Sequence, residues 1–203
     1  MFGIQLPVDI DTVHIAKPNL DIYYPKIIKM QNIPVQQNIN DDIKKSVDEM
    51  IRKQGYFQNP NTTMWASYEV KTNERGILSI NLVNDAYSGG AHGLTVMQGL
   101  TFDINTGMKY ELKDLFKPNS NYQIILSDIV KKQIKARNIF LLGSFIGIKP
   151  NQDFYLADKA LVLYFQLYEL TSYAFGFPSF PISVYEIEDI IDQQSPLGKM
   201  IYL

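Results

Sequence analysis

Polar and apolar residues change period several times along the chain, and each change predicts an element. Between residues 8 and 29, Ile10, Val13 and Ile15, then Leu20, Ile22 and Tyr24, flank the run Ala16-Lys17-Pro18-Asn19. That pattern reads as two short strands about a turn, with Pro25 and Pro34 expected to break regular structure afterwards. Asn40 or Asp41 can cap a helix at this point, because a short side-chain oxygen accepts from the free amides of a first helical turn. Ile43, Val47, Met50 and Ile51 fall at helical spacing and predict an amphipathic helix over Asp41 to Gln54, ending at Gly55.

The period then drops to two. Met64, Ala66, Tyr68 and Val70 alternate with Trp65, Ser67, Glu69 and Lys71, and Leu78, Ile80 and Leu82 alternate with Ser79 and Asn81. The stretch Thr72 to Gly76 between them reads as a hairpin turn. A third strand, with Val96, Leu100, Phe102 and Ile104 on one face, is followed by a turn at Asp103 to Gly107 leading into Lys109 to Leu112. Tyr122 to Arg137 carries a helical stripe of Ile125, Leu126, Ile129, Val130 and Ile134. From Phe154 onward the pattern reads as a strand, a tight turn at Ala157 to Lys159 and a strand over Leu161 to Leu167. Ser172 to Pro181 reads as an aromatic loop, and Val184 to Ile191 as a short helix or helical turn with an acidic side. Strands following strands argue for an α+β fold rather than a doubly wound one. The expected architecture is antiparallel sheets with helices packed on one face, a two-layer sandwich in two small subdomains, residues 1–86 and 87–203.

Composition narrows the function classes. With 46% hydrophobic and 20% charged residues among 203, the chain can bury a sizeable core. A net charge of −2 gives no overall steering towards nucleic acid, which is not expected as a partner. Lys131, Lys132, Lys135 and Arg137 read as the wet face of the second helix. The absence of cysteine removes disulfides, thiolate metal sites and cysteine nucleophiles. No apolar run approaches the roughly 20 residues of a membrane span. The start, Met1 to Pro7, has neither a basic nor an apolar targeting region, so any signal or anchor is expected outside these residues.

His14 and His92 belong to no metal-ligand spacing, Ser88 sits in no nucleophile elbow, and no cofactor or metal is expected. Carboxylates such as Glu111, Asp114, Glu169, Glu186, Glu188 and Asp189 could supply an acid and a base, although 21 acidic residues produce such pairs by chance. The run Tyr87-Ser88-Gly89-Gly90-Ala91-His92-Gly93 has a plain backbone explanation. Its glycines admit left-handed or crowded main chain between two strands, and the His92 imidazole can donate to a nearby carbonyl. The same glycines permit close approach of another chain.

Two long stretches carry a resemblance. Residues 84–122, NDAYSGGAHGLTVMQGLTFDINTGMKYELKDLFKPNSNY, and 154–183, FYLADKALVLYFQLYELTSYAFGFPSFPIS, resemble a bacterial extracytoplasmic domain family. That family forms the sensor portion of RsiV-type anti-sigma factors, which bind host lysozyme, and the non-catalytic part of some peptidoglycan deacetylases. The match spans residues 84–190, and LDIYYPKI with the helix at 41–54 resembles the companion N-terminal domain more loosely. The resemblance implies a secreted or membrane-anchored module outside the cytoplasm. In the sensors, lysozyme binding exposes a site for proteolysis and releases a sigma factor. No cytoplasmic anti-sigma segment, membrane helix or deacetylase catalytic domain is read in these residues.

These readings favour a non-enzymatic ligand-binding or sensor module, with a cell-wall component or an envelope protein such as lysozyme as ligand. Its expected contact elements are Ser88, Gly89, Gly90, His92 and Gly93 in one loop and Tyr173, Phe175 and Phe177 in the other, since exposed aromatics give contact area at low entropic cost. A carboxylate-dependent glycan hydrolase using Glu169 and Glu186 and a structural oligomerisation domain stand as alternatives. The oligomeric state stays open.

Overall fold

The computed structural model describes residues 7–202; positions 1–6, part of the stretch searched for a targeting segment, lie outside that range. The chain is α+β and divides into two compact units, Met1–Lys109 and Tyr110–Leu203.

The first unit is a five-stranded sheet with one long helix. β1 (Asp9–Lys17) and β2 (Leu20–Ile28) form a hairpin whose turn uses the fixed φ of Pro18 and a left-handed Asn19 at φ 61°. α1 (Ile33–Lys53) starts eight residues before the predicted Asp41. Pro34 therefore opens this helix instead of breaking structure. A proline costs no hydrogen bond in a first helical turn, and the Asn32 side chain caps that turn by accepting from the Val35 amide at 3.3 Å. After the helix come β3 (Thr63–Glu74), β4 (Ile77–Tyr87) and β5 (Leu94–Asp103), in the sheet order β1-β2-β3-β4-β5. Arg75 and Gly76 both have positive φ, 53° and 76°, as a two-residue type I′ hairpin between β3 and β4 requires.

One pairing departs from the antiparallel expectation. β2 and β3 run parallel, Leu20 to Ile22 against Met64 to Ala66, because α1 returns the chain across the sheet between them. β4 and β5 pair from Ile77 with Asp103 to Ala86 with Leu94, so the compact unit extends well past residue 86, the expected boundary, to Lys109. Of the predicted strand at Lys109–Leu112 only one bridge, Lys109 with Phe102, is present.

Helix and sheet bury one core. Val35, Ile39, Ile43, Val47, Met50 and Ile51 of α1 meet Leu20, Ile22 and Ile27 of β2, Met64 and Ala66 of β3, Leu78, Ile80 and Leu82 of β4, and Leu100 and Phe102 of β5. Removing each Val, Leu, Ile, Met or Phe side chain of this core from water contributes about 1.5–3 kcal/mol.

The second unit holds α2 (Tyr122–Ala136), β6 (Phe154–Ala157), β7 (Ala160–Tyr164), β8 (Ser179–Ser183) and α3 (Pro196–Tyr202). Its three strands form an antiparallel sheet in the order β6-β7-β8. β7 stops at Tyr164, three residues short of the predicted end, and Phe165 N donates instead to Pro178 O at 3.1 Å. The predicted aromatic loop contains a 3-10 turn, Tyr173–Phe175, and then enters β8. Val184 to Ile190 forms two successive 3-10 turns, within the predicted helical turn. α2 lies by β8, where Gln133 Nε2 donates to Pro181 O and Arg137 Nη1 to Ser179 O, both at 2.7 Å.

Candidate functional site

The glycine loop closes the β4–β5 hairpin and is tied down at several points. Ser88 Oγ hydrogen-bonds Thr62 Oγ1 at 2.8 Å, and Asn59 Nδ2 donates to Ser88 O at 3.3 Å. Tyr87 Oη donates to Gly90 O at 3.0 Å, and Gln54 Nε2, from the C-cap of α1, donates to Leu94 O at 2.7 Å. Gly89 and Gly90 have φ of 98° and 104°, a region where a Cβ is strained, and nothing lies within 4 Å of an added Cβ at either. Main chain is thus presented to open space on a fixed frame. His92 is exposed, and its Nδ1–H donates to Gly93 O at 2.7 Å, which turns the ring onto its own loop. Among the described residues no group of three or more His, Cys, Asp or Glu side chains could hold a metal ion.

Gly93 serves a different purpose. A Cβ there would stand 3.0 Å from Ala86 O and 3.3 Å from both carboxylate oxygens of Asp85, so the close approach of the two strands needs its absence. Gly93→Ala is expected to lower unfolding stability by about 1 kcal/mol, read as a reduced urea midpoint with an unchanged slope.

Asp85 leads to a feature that the sequence patterns did not single out. In register across the sheet, Asp21 of β2 lies beside Trp65 of β3, Trp65 beside Asp85 of β4, and Asp85 beside Thr95 of β5. Their neighbours Leu20, Ile22, Met64, Ala66 and Ala86 are buried towards α1, so this row faces the other way. Trp65 is 50% exposed there. Asp21, Trp65 and Asp85, together with Lys17, Asn19 and Thr63, line an open groove of about 350 Å³. Each carboxylate uses one oxygen within the protein: Asp21 Oδ1 on His14 Nε2 at 2.5 Å, and Asp85 Oδ1 on Thr95 Oγ1 at 2.7 Å. The His14 ring is further fixed by stacking on Tyr23, with centroids 4.3 Å apart and planes within 3°. Alternation places Trp65 off the apolar face, but only the parallel β2–β3 pairing sets Asp21 beside it.

The aromatic loop belongs to the second unit. Phe175 is 45% exposed, whereas Tyr173 and Phe177 are half-buried. Tyr173 lies against the exposed Tyr168 ring, with centroids 5.7 Å apart. Of the two carboxylates named for hydrolysis, Glu186 is exposed on a 3-10 turn, while Glu169 accepts from Gln166 N at 2.9 Å and pairs with Lys149 at 2.5 Å. The carboxylate electrostatically linked to Glu169 is Asp153. Burial raises its pKa above the ordinary aspartate value, Glu169 adds to the rise, and the Gln166 hydrogen bond at 2.8 Å and Lys149 oppose it.

A raised carboxyl pKa favours the protonated side chain in the folded state. The stability it contributes is full below the unfolded aspartate pKa and is lost as pH rises through the folded value. Asp153→Asn removes that dependence while keeping an oxygen for Gln166. The variant is expected to match or exceed the parent chain in urea stability at neutral pH, and to lose that advantage as pH falls towards 4.

Comparisons with known proteins agree with this layout. Residues 16–95 match the family described as Deacetylase PdaC, and residues 113–185 match the family described as Protein of unknown function (DUF3298). The peptidoglycan-N-acetylmuramic acid deacetylase PdaC of Bacillus subtilis is 24% identical over 183 residues, covering 80% of this chain. The chain spans 38% of the length of that relative. Crystal structures of a DUF3298 family member from Bacteroides fragilis (TM-score 0.74, 15% identity, 97% of this chain and 98% of that one) and of another from Pseudomonas aeruginosa (0.73, 14%, 94% and 97%) share the fold. A PdaC-like segment and, after it, a DUF3298-like segment therefore make up most of the chain.

Proposed function

We propose that this chain is a non-catalytic ligand-binding module acting outside the cytoplasm, and that its ligand is a cell-wall glycan. The observation that carries the reading is the open groove in which Trp65 lies between Asp21 and Asp85 beside the glycine loop. A half-exposed indole offers a flat apolar face to the C–H side of a sugar ring, and carboxylate oxygens accept from hydroxyls at the ring edge. Likeness to a peptidoglycan deacetylase over the segment containing the groove supports both the ligand class and the location.

An envelope protein such as lysozyme is a second ligand, favoured by the Tyr168–Tyr173 pair and Phe175 on the second unit, a surface of the kind that anchors protein interfaces. Calorimetric titration with muropeptides and with lysozyme, alongside product analysis of the same mixtures, tests the proposal. Saturable glycan binding without product supports it. Released product would return the hydrolase reading, and lysozyme binding alone would move the function to the aromatic loop.

A further inference from the structure

Residues 138–149 lie in the connection between α2 and β6 and place large apolar side chains in water. Phe140 is 89% exposed, Ile146 98% and Leu142 57%. This exposure is built into the fold. Ile139 and Ile148 are buried at the two ends of the segment, Leu142 N donates to Leu170 O at 3.1 Å, and Ile148 N donates to Ser127 Oγ at 3.0 Å. Phe145 packs edge-on against Phe165, with centroids 6.1 Å apart. Gly147, at φ 133°, lies where a Cβ would be 3.1 Å from Ser127 Oγ. A pinned loop that carries three outward apolar side chains has a surface to meet.

Charge identifies that surface. From Lys131 to Gln152 the sequence contains Lys131, Lys132, Lys135, Arg137 and Lys149 and no acidic residue, in a chain whose net charge is −2. Lys149 is paired with Glu169, and Arg137 is engaged with Ser179 O and the Phe180 ring. The ammonium groups of Lys131, Lys132 and Lys135 stand exposed on α2 without an ion-pair partner among the described residues. Asp128 and Asp153 bracket the stretch. Apolar side chains flanked by cations suit the boundary between acyl chains and anionic headgroups better than an apolar protein groove, which offers nothing to the lysines.

We propose that the 138–149 loop docks on an anionic lipid surface, with Phe140, Leu142 and Ile146 inserted below the headgroups and Lys131, Lys132 and Lys135 above them. The site lies outside the glycan groove and does not depend on it. The test is co-sedimentation of the full chain with phosphatidylglycerol vesicles and with neutral phosphatidylcholine vesicles. Binding is expected to the anionic vesicles, to weaken with salt, and to fall about fivefold for each of Lys131→Gln, Lys132→Gln and Lys135→Gln. Phe140→Asp with Ile146→Asp, both almost fully exposed, is expected to reduce it by tenfold or more. As a second measurement, Ile146→Trp in an otherwise unaltered chain is expected to blue-shift its added emission when anionic vesicles are present. Equal binding to both vesicles, indifference to the Asp pair, or no blue shift overturns the proposal. So does a concentration-dependent dimer, formed without lipid, that the same Asp pair abolishes, since the loop would then be an interface between copies.

Discussion

Phe102→Ala is expected to reduce the unfolding free energy by about 3–5 kcal/mol, the range for deleting a fully buried aromatic. Phe102 is wholly inaccessible and belongs to the core that α1 closes over the sheet. Its strand partner across β4 is Leu78, itself fully buried, so little can collapse into the space left. A domain of this kind is stable by roughly 5–15 kcal/mol, and the loss is a large fraction of that. Urea unfolding monitored by circular dichroism gives the value. Phe140→Ala is the matched control, because at 89% exposure its phenyl ring contributes almost no buried area, and its unfolding free energy is expected to stay within about 0.5 kcal/mol of the parent. A cost below about 1 kcal/mol at Phe102 would mean that this core does not hold the sheet to α1.

The positions that could be read from sequence share one property: their spacing reports a local environment. Leu78, Ile80 and Leu82 alternate because one face of β4 meets the helix, and Ile43, Val47, Met50 and Ile51 recur because α1 meets the sheet. Readings failed where a distant pairing or a single cap decided the outcome. Asn32 and Pro34 start α1 through one side-chain hydrogen bond, which outweighs the usual reading of proline as a breaker. The parallel β2–β3 contact joins residues more than forty positions apart, and no periodicity encodes it. The Trp65 groove depends on that contact, so its three side chains could not be assembled from their spacing alone. At Phe140 and Ile146 the difficulty is the reverse. Apolar residues near buried Ile139 and Ile148 look like core, and only the fixed loop geometry turns them outward.

Trp65→Ala is expected to weaken muropeptide binding by about 2 kcal/mol, roughly thirtyfold in Kd, in the range of a tryptophan at the centre of a contact. The indole is half exposed and outside the α1 core, so the thermal midpoint is expected to move little. Trp65→Tyr keeps an aromatic face and is expected to recover part of the loss, whereas Trp65→Leu keeps apolar area without a flat ring and is not. That contrast separates stacking from simple burial. Asp85→Asn adds a second axis. The amide oxygen can still accept from Thr95, but the charge is gone, so a neutral sugar that only donates hydroxyls is expected to lose less than a ligand bearing an ammonium group. If Trp65→Ala leaves glycan affinity unchanged while Phe175→Ala abolishes it, the binding surface is the aromatic loop of the second unit, and the groove serves only as the outer face of the sheet.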